Sequence, residues 1–288
     1  MGTIQLPQAL PQVRSLAETS RRDTWWVQPL LVFLGFGAFL VYASWAGMQG
    51  VHYWVPGTRY LSPMYAPTLW DSWQIQALGL SSGHAWFGAW PSWLPHYVIF
   101  PFAVLTPAAL ILWGPGGFRF TCYYYRGAYY KAFWADPLNC GVGEPGFRGK
   151  KYRGEAKLPL ILQNVHRYFL YVAIAFIGLL SFDAVESFFF PREDGTHFGI
   201  GVGSLVMTVN VVLLAGYTFG CHAARHLIGG RKDRLSELGA GKKVYDCVSC
   251  LNRRHMLWAW VSLFWVGFTD FYVRMVAGGH WHDYRVVF

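Results

Sequence analysis

Apolar residues gather into five stretches along the chain, 27–46, 95–113, 160–182, 198–220 and 256–276, separated by polar or basic segments. Each is near the roughly 20 residues that an α-helix needs to cross a hydrocarbon core. The pattern predicts an all-α membrane protein with five transmembrane helices. Residues 1–24 are polar and predict a cytoplasmic N-terminal segment, and Trp25 and Trp26 anchor the start of the first span. Residues 25–288 then form one five-helix domain. Between the first two spans, 47–94 is rich in Trp, Pro and Gly yet holds one Arg and no Lys. It reads as an ordered extracytoplasmic loop with a short helix near 68–78. Pro101 and Pro107 fall inside the second stretch and predict a kink, which membrane helices tolerate. The segments 115–159 and 221–255 read as basic loops, the first opening on an aromatic-basic run, 118–131, suited to a membrane interface.

Composition agrees. Of the 288 residues 54% are hydrophobic and only 14% charged, against about a quarter charged in soluble domains. Arg14, Arg21 and Arg22 precede the first apolar run, which argues that it is retained and not cleaved as a signal peptide. A net charge of +9 would suit nucleic acid in a soluble protein; here its distribution sets orientation instead. All but four of the 24 basic residues (Arg59, Arg192, Arg274 and Arg285) fall on one side of the five-span topology. Positive charge marks the cytoplasmic face, so the N-terminus and both basic loops are expected inside and the C-terminus outside.

That topology collects the chemistry. Cys122, Cys140, Cys221, Cys247 and Cys250 all fall on the cytoplasmic side, as do His166, His222, His226 and His255. Inner-face thiols argue against a disulfide framework and for a metal or iron–sulfur centre between the inner ends of the second, third and fourth helices. Mixed Cys and His ligation is the chemistry of a Rieske-type [2Fe–2S] centre, in which two imidazoles replace two thiolates on one iron and raise its potential. On a continuous helix His222 and His226 share one face, with Cys221 about 100° away. Plainer explanations stand beside these. A cysteine is often a small buried apolar residue, and His166 is equally a packed histidine or an axial haem ligand. Cys247-x-x-Cys250 is half of a zinc site, and Gly199-x-x-x-Gly203 is close helix packing. Asp183, Glu186 and Asp270, near the outer helix ends, are proton carriers or partners of Arg192 and Arg274.

Five motifs resemble one bacterial family: Thr121-Cys-Tyr-Tyr-Tyr-Arg126, Asn139-Cys-Gly-Val-Gly-Glu-Pro145, Gln163-Asn-Val-His-Arg-Tyr168, Gly220-Cys-His-Ala-Ala-Arg-His226 and Leu251-Asn-Arg-Arg-His255 with Trp258-Ala-Trp. They are similar to the cytochrome b-type membrane anchor of succinate dehydrogenase (succinate:menaquinone oxidoreductase) in its single-chain five-helix form, over roughly residues 95–288. Some members of that branch carry a membrane-embedded Rieske-type cluster in place of haem b. The Cys-x-His and Cys-x-x-His loops of soluble Rieske proteins are absent from this sequence.

The resemblance implies an inner (plasma) membrane subunit of respiratory complex II that passes electrons to menaquinone. A flavoprotein subunit and an iron–sulfur subunit would be its partners, and this chain has no flavin or succinate site of its own. It implies Cys122 and Cys140 on one iron and two of His166, His222 and His226 on the other, with Cys221 in reserve. Arg254, His255 and Trp260 are the candidates for the menaquinone pocket. Haem b in the same or another quinone-coupled enzyme is the redox alternative, and a transporter or scaffold the non-redox one. Membrane lipid and quinone are the expected surroundings, nucleic acid is not a partner, and higher oligomers stay open.

Overall fold

The computed structural model describes residues 24, 26–100, 102–133, 161–230, 232 and 234–288. Nearly all of the 1–24 segment, Cys140 and the 134–160 part of the first basic loop lie outside them. The chain opens with α1 (Val27–Gln49), ended by Gly50 at φ 64° in the left-handed region. Glycine alone is at ease there, and a side chain at Gly50 would also overlap Gln74. The following loop is ordered, as expected. Tyr53 stacks on Tyr65 with ring centroids 4.4 Å apart, and Tyr65 hydroxyl donates to Ala46 O at 2.9 Å. The short helix α2 (Trp73–Ala77) is capped by Ser72, whose side chain accepts from the Ile75 amide.

The second span departs from expectation. A hairpin of β1 (Tyr97–Val98) and β2 (Ala103–Val104) occupies the place of its first half. Helix resumes only at α3 (Pro107–Ile111), α4 (Trp113–Phe120) and α5 (Tyr123–Phe133). Prolines at 95, 101 and 107 explain the shift. Each lacks an amide donor and disfavours helix at the residue before it, so helix begins where the last proline opens it. Part of the expected 115–159 loop is therefore helical.

Next come α6 (Ile161–Glu186), β3 (Phe189–Arg192), β4 (Gly195–Gly201) and α7 (Val202–Phe219). The 221–255 loop is itself mostly helical, with α8 (His222–Gly229) and α9 (Gly241–Arg253). The chain closes with α10 (His255–Ala277) and β5 (Arg285–Val287). In the short tail after α10, β5 pairs with β4 to complete a three-stranded sheet, β3-β4-β5.

Among the described residues four helices are long and apolar enough to cross a membrane: α1, α6, α7 and α10. They present Leu31, Val41, Tyr171, Val212 and Phe264 outward, the expected exposure when lipid is the solvent. Contacts set their directions. Gly35 lies by Phe264 and Tyr42 by Asp270, so α1 and α10 run in parallel. Gly117 faces Phe169 while Gly114 faces Val172, so α4 runs against α6. The polypeptide thus alternates in direction through α1, α3–α4, α6, α7 and α10. Small residues set the closeness: a side chain at Gly117 would overlap the Phe169 ring, and one at Gly216 would meet Trp258 at 2.6 Å.

Two cores result. One surrounds Tyr53, Tyr65 and Ile75 beneath the ordered loop. The other joins Phe118, Cys122, Tyr125, Leu170, Tyr217, Cys221 and Leu263 at the opposite end of the helices.

Candidate metal centre

Helix breaks place the thiols at that second end. Thr121 ends α4, and Cys122 follows it immediately before α5. Gly220 ends α7, and Cys221 adopts an extended conformation (ψ 149°) at the cap of α8. The helix is broken at Gly220, so the expected 100° offset of Cys221 does not apply, while His222 and His226 share one face of α8 as expected. Cys221 turns inward, 2% exposed, and Cys122 is 1% exposed. His222 and His226 begin a separate helix on the surface, their Nε2 atoms 3.1 Å apart.

The buried thiols meet two other imidazoles. His166 Nε2 lies 2.9 Å from Cys221 Sγ, and His255 Nε2 lies 3.5 Å from Cys122 Sγ. The hydrogen bonds also settle the His166 tautomer. Thr121 hydroxyl donates its single proton to Gly117 O at 2.8 Å. At its 2.8 Å contact with His166 Nδ1 it must therefore accept. Nδ1 carries the proton, and the Nε2 lone pair faces the thiol. A ligating histidine is ordinarily oriented in this way by a hydrogen bond at its other nitrogen.

Aromatic rings fix the remaining geometry. Phe118 lies flat against His166 (centroids 4.6 Å, 8°), and Tyr217 lies flat against His255 (5.1 Å, 15°). Tyr217 hydroxyl and His255 Nδ1 are buried without a hydrogen-bond partner. An unpartnered buried polar atom costs on the order of 1–3 kcal/mol, so two beside a pair of thiols point to a group that completes the site. Burial, reinforced by the neighbouring Cys122, pushes the Cys221 thiol up to about 12. Its thiolate is stable there only beside a cation.

No three of these donors converge within reach of one ion among the described residues. They come as two Cys–His pairs. Two thiols and two imidazoles are the donor types of a Rieske-type centre.

Of the expected ligands, Cys122 and His166 are therefore in the cluster, Cys140 lies outside the described residues, and His222 and His226 are on the surface. Cys221, held in reserve, and His255, a quinone candidate, are the side chains that His166 and Cys122 meet. The signal for Cys221 was present in the sequence, since Gly220 and the polar residues after it end the apolar run. Cys247 and Cys250 are exposed on α9, away from this core.

Of the quinone candidates, Trp260 alone lines a cleft. This cleft, of about 500 Å³, opens between α1 and α10 and is bounded by Gln28, Leu31, Tyr124, Met256 and Phe264 among others. Trp260 Nε1 donates to Tyr124 hydroxyl at 2.6 Å, leaving that hydroxyl's own proton free. Burial raises the Tyr124 pKa, so it stays a donor. Arg254 is exposed at the start of α10.

A family model described as actinobacterial succinate dehydrogenase subunit SdhC matches residues 27–279. A chain of the Mycobacterium smegmatis Sdh1 complex in the apo form is 40% identical to this one, with a TM-score of 0.77 and 92% of each chain covered. No curated protein matches the chain.

Proposed function

The chain belongs to the actinobacterial family of succinate dehydrogenase subunit SdhC, membrane subunits of a quinone oxidoreductase complex, and from that premise we propose that it delivers electrons to menaquinone in the plasma membrane. In this reading Cys122, Cys221, His166 and His255 hold a Rieske-type [2Fe–2S] centre. The observation that carries it is the buried meeting of two thiols and two imidazoles with Nε2 facing sulfur. Such a centre supplies one-electron transfer at a potential raised by its neutral imidazole ligands. The chain's own part is to hold and shield that site. Thr121 orients His166, Phe118 and Tyr217 wall off the imidazoles, and the unpartnered Tyr217 hydroxyl is available to a ligand sulfur.

Haem b is served less well. The rings of Phe118, Tyr125 and Tyr217 fill the core around His166, where a porphyrin would need to lie.

Succinate oxidation falls to a flavoprotein subunit, and an iron–sulfur subunit docks on the basic face. The α3–α4 segment is the second of five crossings, shortened to 107–120, which puts the N-terminus inside and the C-terminus outside in keeping with the charge asymmetry. The cleft beside Trp260 and Tyr124 takes the quinone ring, with Tyr124 hydroxyl donating to a carbonyl.

Electron paramagnetic resonance with iron and acid-labile sulfide analysis of the purified complex tests the centre. A low-g Rieske-type signal without reduced haem bands is expected, and sharp haem b bands in its absence would overturn the reading. The cleft has its own test. Trp260→Ala should raise the menaquinone KM about tenfold, the equivalent of about 1.4 kcal/mol, while leaving the resonance signal as in the wild type. An unchanged KM would move the quinone elsewhere.

A further inference from the structure

Arg119 sits in the last turn of α4, and its guanidinium reaches into the core that holds the thiols. It lies 4.6 Å above the Tyr217 ring and 5.6 Å from that of Tyr125. Nη1 donates to Tyr125 hydroxyl at 2.7 Å and to Ala259 O at 3.2 Å, and Nη2 donates to Ser262 Oγ at 2.9 Å. These partners are neutral. Among the described residues no carboxylate pairs with it, whereas the more deeply buried Arg274 has Asp270. A half-buried cation without a counter-charge is costly. The same Tyr217 ring that Arg119 covers stacks on the His255 imidazole, whose Nε2 meets the Cys122 thiol, so the guanidinium stands one ring away from the thiol-bearing pairs.

We propose that Arg119 is the counter-cation of the redox centre and holds its reduction potential up. The inference rests on the reading of Cys122, Cys221, His166 and His255 as the ligands of a thiolate-bearing centre. Reduction adds one negative charge close to a fixed positive one, so the reduced form is stabilised more than the oxidised form. Removing the cation lowers the potential. Burial limits screening by salt, so the effect should persist at high ionic strength. Arg119 is a positioning residue here: it touches neither donor atom, and acts through the field it sets.

The test is redox titration of the purified complex, followed by the resonance signal of the centre, in Arg119→Gln, Arg119→Lys and Ser262→Ala. Arg119→Gln should make reduction at least about tenfold less favourable, about 59 mV for a one-electron couple, with unchanged g-values. Arg119→Lys and Ser262→Ala keep the cation and should stay near the wild-type midpoint. A wild-type midpoint in Arg119→Gln overturns the proposal, as does a shift of equal size in all three variants, which would mark a packing role. Should Arg119→Gln fail to assemble, the two charge-retaining variants decide, since a displaced midpoint in either contradicts a role set by charge. A wild-type complex without the signal removes the centre itself, an outcome distinct from both.

Discussion

Cys221→Ser is expected to strip the centre's iron and sulfide from the purified complex and to cut quinone reduction by about 100-fold or more, the upper end of what losing support around a metal site costs. The substitution is nearly isosteric, and a serine hydroxyl can still meet His166 Nε2, which the thiol now faces at 2.9 Å. Folding should therefore survive. What disappears is the soft thiolate that iron–sulfur chemistry requires. Cys247→Ser, on the exposed face of α9, is the matched control and should retain full iron. Cys140→Ser decides between the ligand set built here and the pairing of Cys122 with Cys140 that the sequence suggested. Full iron in Cys221→Ser with loss in Cys140→Ser would return Cys221 to a packing role.

The second large effect is expected at the other end of the bundle, about 22 Å along α10 at 1.5 Å per residue. Asp270 is fully buried and accepts from Tyr42 hydroxyl at 2.6 Å, from Arg274 Nε at 2.7 Å and from Ser62. Arg274 in turn donates to Val51 O at 2.9 Å and Ala46 O at 2.7 Å. One ion pair thus ties α10 to α1 and to the loop that follows it. Removing one partner of a buried pair leaves an uncompensated charge and costs about 3–5 kcal/mol. For Asp270→Ala that predicts a fall on the order of 10 °C in the melting temperature of the detergent-solubilised complex. Asp270→Leu combined with Arg274→Leu should be milder, because no lone charge stays buried. Iron content should be unchanged in both. An unshifted melting temperature in Asp270→Ala would show that the loop is held by its aromatic core alone.

These two sites divide differently between what could be read from the chain and what could not. Asp270 and Arg274 were visible as charges near the end of a span, with their pairing among the expected outcomes, because they stand four residues apart on one helix face. Cys122 and His166 were likewise legible as donors at neighbouring helix ends. That Cys221 meets His166 and His255 meets Cys122 was not legible. Their roles depend on two local breaks, at Gly220 and at Arg254, that rotate each side chain independently of the helix before it. The second span was misjudged for a related reason. Hydropathy recorded an apolar stretch at 95–113 but not the repeated prolines' preference for extended chain, which gives a hairpin first and a helix only from Pro107. Nothing local announced that 285–287 would pair with 195–201, since strand pairing across that separation is settled by what else packs at the same end.

By itself the sequence determined the solvent, the helices and the chemical inventory: apolar runs of spanning length have one way to satisfy their backbone in lipid, and basic residues segregate to one side of them. The family followed from motifs written in contiguous residues. Only the tertiary structure decided which two of the four described thiols meet which two imidazoles. That choice turns on helix ends and crossing contacts between residues 45 to 133 positions apart, where a single broken turn redirects a side chain by more than any periodicity can record.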